Sequence, residues 1–155
     1  DAIPLQSRLP YTFGRNNSVA DPPGEVIDEA RSHRRVSVFA LPGRDARARL
    51  ANLIHALNAS VPVAVGLRWP PARALRTGYL AAQVPLPDGG HAVTIVGYEN
   101  KTGAIADTVF IFKNSWGARW GAGGFGYATY GYLASNLEDT AMLEVEPGEP
   151  AKTAR

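Results

Sequence analysis

Two apolar runs, His91 to Glu99 and Val109 to Asn114, stand on either side of the turn-forming segment Asn100-Lys-Thr-Gly103. Apolar runs joined by turn residues read as an antiparallel hairpin. In an antiparallel ladder the residue numbers of facing partners have a constant sum. The midpoint between His91 and Asn114 falls at Thr102–Gly103, inside the turn itself. That register sets His91 opposite Asn114, Val93 opposite Phe112 and Ile95 opposite Phe110. All six side chains then share one face, because strand side chains alternate.

The rest of the chain supplies one helix and several short strands. Leu50, Leu53, Ile54 and Leu57 recur at i, i+3, i+4 and i+7 within Asp45–Asn58, with Arg44, Arg47 and Arg49 on or near the other faces. This is the pattern of an amphipathic helix. His55 lies beside that stripe and reads as a boundary residue, not a ligand or base. Val36–Leu41, Pro62–Arg68, Phe125–Tyr130 and Ala141–Val145 read as strands, and Trp69–Pro87 as loop. Sixteen glycines and twelve prolines in 155 residues agree with many turns. The expected fold is α+β, an antiparallel sheet or barrel with one main helix at about residues 45–58. Residues 1–35 read as an irregular linker, 36–146 as the β-domain, and 147–155 as a disordered tail.

Several function classes are unsupported. The formal charge is only +2, and the densest basic cluster, Arg31-Ser-His-Arg-Arg35, has no reader motif, so nucleic-acid binding is not expected. No run approaches the roughly 20 apolar residues of a membrane span. With three histidines lacking H-x-x-x-H spacing and no cysteine, neither a metal site nor a disulfide is expected, and no cofactor is called for. Gly121-Ala-Gly-Gly-Phe-Gly126 sits between strands and opens no helix, so it is no nucleotide loop.

A histidine beside a side-chain amide is a proton-handling pair. The asparagine carbonyl accepts from one imidazole nitrogen and sets the tautomer, leaving the other nitrogen to take or deliver a proton. A thiol on that side would be activated as a thiolate–imidazolium pair. Trp116, two residues beyond Asn114, projects to the same face and is expected to cover the pair from water. Taken singly, each residue has a plain structural role: a histidine at a strand start, an asparagine in a turn, a tryptophan in a core. Their combination carries the argument.

That combination, Gly90-His-Ala-Val-Thr-Ile-Val-Gly-Tyr98 followed by Lys113-Asn-Ser-Trp-Gly-Ala-Arg-Trp-Gly-Ala-Gly-Gly-Phe125, resembles the histidine and asparagine motifs of the papain-like cysteine peptidases (family C1). Val61-Pro-Val-Ala-Val65 resembles the family's strand ahead of the histidine. The resemblance covers roughly residues 36–133. It implies His91 as general base and acid, Asn114 as its orienter, and Trp116 as the shield of that pair. It also implies Gly66, Gly90 and Ala92 bordering the substrate's S2 pocket, open to a bulky apolar side chain. The family's other half carries a glutamine and a C-G-x-C-W segment, and no such segment occurs here. Ser7 and Ser18 lie in proline- and asparagine-rich connection and do not replace the nucleophile. The chain is therefore expected to be the right-hand His/Asn domain. Its implied partners are a cysteine-bearing left-domain chain or segment and a peptide substrate. The expected function is half of a cysteine endopeptidase. The alternatives are a non-catalytic peptide-binding scaffold, or a Cys-His-Asn acyltransferase or deamidase.

Overall fold

The computed structural model describes residues 21–32, 36–71 and 77–145. The chain divides into two compact units, one of residues 1–38 and 143–155 and the other of residues 39–142. Among the described residues of the first unit, α1 (Gly24–Ser32) corrects the irregular reading of this stretch. Glu25 in its first turn and Arg31 in its last complement the helix dipole, and Arg31 pairs with Asp28 at 3.0 Å. Among the side chains described in this helix only Val26 is a buried core-type residue. β1 (Val36–Phe39) has β7 (Leu137–Val145) as its sheet neighbour. The tail at 147–155 lies outside the described residues.

The second unit contains α2 (Ala46–Asn58), β2 (Val63–Arg68), β3 (Tyr79–Leu80), β4 (Gly90–Glu99), β5 (Val109–Lys113), β6 (Phe125–Thr129) and α3 (Tyr130–Asn136). Its sheet order is β7-β2-β4-β5-β6-β3. All pairings are antiparallel except β3–β6, which is parallel. The sheet is thus mixed, not purely antiparallel. The exception is a two-residue edge strand brought alongside β6, where the Tyr127 N–H donates to the Gly78 carbonyl at 2.8 Å.

The main helix forms where its pattern places it. The Asp45 side chain accepts from the Ala48 N–H at 2.8 Å as N-cap, and Ser60, at φ 62°, and Pro62 prevent continuation. Leu50 and Leu53 are fully buried in one core cluster with Val65, Ile95, Phe110 and Phe112 of the sheet, while Ile54 and Leu57 pack at its margin. His55 is exposed.

The β4–β5 hairpin forms, but in a different register from the one its turn suggests. Ile95 faces Phe112 and Tyr98 faces Phe110, with an extra β4 residue between Ile95 and Gly97. The bulged residue is Val96, which is exposed. Before the bulge the inward side chains are odd-numbered (Val93, Ile95), and after it the inward residue is Tyr98. A bulge shifts pairing by one and reverses which face a residue takes. It thereby lets both halves of a ten-residue strand contribute to one core. Counting from the turn cannot see it, and the pairing is displaced by two residues near His91.

Tyr130, read as the end of a strand, instead opens α3 (Tyr130–Asn136), capped by the Thr129 hydroxyl accepting from the Tyr132 N–H at 3.2 Å. Tyr132 and Leu133 are its buried residues. Among the described residues, no helix is long and apolar enough to cross a membrane.

Truncating the buried face of α2 tests this core. Leu53→Ala removes a fully buried side chain whose surroundings are held by the sheet. It should lower the unfolding free energy by about 2–5 kcal/mol, read from urea denaturation, whereas Ala51→Ser on the exposed face should change it little.

Candidate active site

The site is assembled by neighbouring strands of the second unit. β2 runs antiparallel to β4 with Val63 facing Ile95, Val65 facing Val93 and Leu67 facing His91. Alternation along β2 carries the same face one step further, to Trp69. The Trp69 N–H donates to the Gly89 carbonyl at 2.6 Å, and its own carbonyl accepts from the Leu86 N–H at 3.0 Å. A side chain at Gly89 would press to 2.8 Å on the Trp69 carbonyl. The residue preceding Gly90-His91 therefore has to be small for Trp69 and His91 to share this corner.

His91 and Asn114 meet, although they are not facing partners. The last β4–β5 pair is Thr94 with Lys113, so Asn114 lies just beyond the ladder, diagonal to His91. The two-residue displacement is even, which keeps both on one face. Their side chains bridge the diagonal, with His91 Nε2 and Asn114 Oδ1 at 2.8 Å. The Ser115 N–H donates to the same Oδ1, also at 2.8 Å. That second bond identifies the atom: an amide nitrogen there would oppose a backbone donor, so the oxygen faces both groups. The oxygen only accepts, so Nε2 of His91 carries the hydrogen, and in the neutral ring Nδ1 is then the bare nitrogen. Asn114 is 3% exposed, and its Nδ2 has no protein partner among the described residues.

Asn114 is held by the glycine-rich loop that follows it. Its N–H donates to the Gly124 carbonyl at 2.9 Å, the Trp120 N–H donates to Gly117, and the Gly124 N–H donates to Trp120 at 2.7 Å. Gly124 has φ 89°, and a side chain there would press on the Gly117 carbonyl and the Lys113 amine. Only glycine closes this loop without strain. The tryptophans of the motif line the same corner. Trp116 stands 4.9 Å from the His91 ring and 5.5 Å from Trp120, centroid to centroid, and Trp120 packs on Phe112 at 5.9 Å. Trp116 is 45% exposed, so it forms the solvent-side wall of the pair.

The three small residues expected at a substrate pocket are placed differently from one another. Gly66 and Ala92 face each other across β2 and β4, whereas Gly90 faces Arg68. Gly66 also faces Asp139 of β7, and a Cβ on Gly66 would collide with the Asp139 carboxylate. The sequence reading missed Asp139, since nothing in the chain announces which residue of the last strand comes to rest there. Trp69 was also missed, although the alternation of Val63, Val65 and Leu67 points to it. Among the described residues, no group of three or more His, Asp or Glu side chains is arranged to hold a metal ion.

Residues 3–145 match the model of the papain family cysteine proteases, and the chain belongs to that family. Over 63 residues, 40% of its length, it is 46% identical to an uncharacterized peptidase C1-like protein of Acanthamoeba polyphaga mimivirus, of which this segment is 19%. Over 57 residues, 37% of its length, it is 44% identical to Peptidase 1 of Dermatophagoides pteronyssinus, 15% of that protein. The matched segments thus span less than a fifth of either relative. In fold it is similar to xylellain, a cysteine protease of Xylella fastidiosa, with TM-score 0.65 and 18% identity over 94% of this chain and 57% of that one. It is likewise similar to the proform of a ragweed pollen cysteine protease, with TM-score 0.61 and 21% identity over 94% and 42%.

One buried tyrosine ties α3 to this site. The Tyr132 hydroxyl donates to the Arg68 carbonyl, one residue before Trp69, at 2.8 Å. Burial pushes the Tyr132 phenol up to about 12 from its ordinary 10.0. A phenol raised in the folded state contributes stability that is complete below its unfolded value and lost as pH climbs through the folded one. The stability difference between the native chain and Tyr132→Phe should therefore be constant up to about pH 10 and narrow between about pH 10 and 12. Urea denaturation at a series of pH values measures it, and a pH-independent difference would remove the burial effect.

Proposed function

We propose that this chain provides the histidine–asparagine half of a papain-type cysteine endopeptidase, the thiol coming from a cysteine-bearing chain or segment. The observation that carries this reading is the 2.8 Å contact between His91 Nε2 and Asn114 Oδ1, with Nδ1 left bare. In the proposed reaction Nδ1 takes the proton of the cysteine thiol. The thiolate attacks the peptide carbonyl, and the imidazolium returns its proton to the departing amine, leaving an acyl-enzyme. Water, deprotonated by the same nitrogen, then releases the acid and regenerates the thiol. Asn114 keeps the imidazole in one tautomer through both halves, and Trp116 limits water at the pair.

Gly66, Gly90 and Ala92 are proposed to border the pocket for a substrate side chain. The Asp139 carboxylate beside Gly66 changes the expectation for that pocket. An exposed carboxylate at its wall suits a basic substrate side chain better than a bulky apolar one.

A second reading, a peptide-binding module without chemistry, is favoured by the absence of cysteine from all 155 residues. An acyltransferase or deamidase would use the same pair and differ in the acceptor. Native purification followed by labelling with a thiol-directed epoxide distinguishes these readings. The peptidase reading expects a labelled cysteine-bearing partner and peptide cleavage. In that assembly His91→Ala should lower turnover by about 10²–10⁴-fold while assembly persists. Cleavage unaffected by His91→Ala, or a preparation with no labelled partner, would sink it; product appearing only with amine acceptors would favour transfer.

A further inference from the structure

We infer that Trp69 is a positioning residue for His91, acting through its aromatic ring and not through its indole N–H. This rests on the proposed role of His91 as the proton carrier. Among the described residues the imidazole has one hydrogen-bond partner and two ring neighbours. Asn114 holds Nε2, Trp116 stands at 4.9 Å tilted by 38°, and Trp69 stands at 4.5 Å with its plane 62° from the imidazole. The two indoles are 5.9 Å apart, so with His91 they form a compact triangle, a corner closed on two sides and not a sandwich. Trp116 is the solvent-side wall, nearly half exposed, whereas Trp69 is 6% exposed and packs on Phe112 at 6.0 Å. Of the two, Trp69 is the wall that is itself anchored: by Phe112 through its ring, and by Gly89 and Leu86 through its backbone.

A single hydrogen bond leaves the imidazole free to swing about its side-chain torsions, since terminal ring torsions are broad. A buried edge-to-face contact removes that freedom, because the ring edge and face lock each other's orientation. Trp69 thereby keeps the Nε2–H pointed at Asn114 and the bare Nδ1 turned away from it. The Trp69 Nε1 is buried with no protein acceptor among the described residues. The N–H is consequently not what holds the residue in place, and replacing it by a ring without a donor leaves the contact intact.

The test reads the imidazole directly and needs no partner chain. Nitrogen-15 shifts of the His91 ring in its neutral form, assigned by loss of the signal in His91→Gln, report which nitrogen carries the hydrogen. The native chain should show the Nε2–H form, with cross-relaxation between the His91 and Trp69 ring protons. Trp69→Phe should retain the Nε2–H signature. Trp69→Leu and Trp69→Met should shift the two nitrogen signals toward each other as the tautomers mix, while circular dichroism shows an unchanged fold. Unchanged tautomer shifts in a folded Trp69→Leu or Trp69→Met chain would overturn the inference, as would loss of the signature in Trp69→Phe. If neither aliphatic variant folds, the native chain decides: absent cross-relaxation between the two rings overturns it, and its presence with a retained signature in Trp69→Phe supports it. These outcomes are independent of cleavage, so failure of the peptidase reading leaves them interpretable.

Discussion

The site turns on one oxygen that accepts two hydrogen bonds. Asn114 Oδ1 receives the Ser115 N–H and the His91 Nε2–H, each at 2.8 Å. Because the first donor belongs to the backbone it cannot reverse, and so the amide cannot flip without setting donor against donor. The oxygen in turn dictates where the imidazole hydrogen resides. A backbone constraint is in this way converted into a side-chain tautomer, and the tautomer into a nitrogen free to carry a proton.

Much of the surrounding architecture reads as what that oxygen requires. The glycine loop from Gly117 to Gly124 returns the chain so that the Gly124 carbonyl receives the Asn114 N–H, and its left-handed residues exclude other side chains. Gly89 yields room for the Trp69 backbone, which ties β2 to the start of β4. Tyr132 of α3 holds the Arg68 carbonyl next door. The aromatic side chains around the pair are therefore supported from three elements distant in sequence, and the imidazole sits among groups with little freedom of their own. Rigid support of this kind is what a proton-transfer group needs, since small misplacements cost rate steeply.

Legibility in the sequence varied with the range of the interaction responsible. The α2 helix was readable because its signal is local: Leu50, Leu53, Ile54 and Leu57 at helical spacing, an Asp45 cap and a Pro62 stop. α1 and α3 were not, since each is short and carries only one or two buried residues among those described. The hairpin was readable as a hairpin but not in register, because the Val96 bulge answers to packing against α2 and β5 and leaves no local mark. That His91 and Asn114 share a face survived only because the displacement was even. Trp69 was latent in the alternation of β2, whereas Asp139 beside Gly66 depends on a bulged pairing between β2 and β7 that no single strand reveals.

By itself the sequence determined the family and which histidine and asparagine come together, since motifs rich in glycine and tryptophan record steric demands that few other residues meet. It also determined that no thiol comes from these 155 residues. The tertiary structure decided which nitrogen of His91 faces Asn114, that the pair meets diagonally and not face to face, that an indole from β2 stands against the imidazole, and that a carboxylate from β7 lies beside Gly66. Those outcomes depend on distances between strands far apart in the chain, and such distances are set by packing, bulges and backbone hydrogen bonds, not by spacing along the sequence.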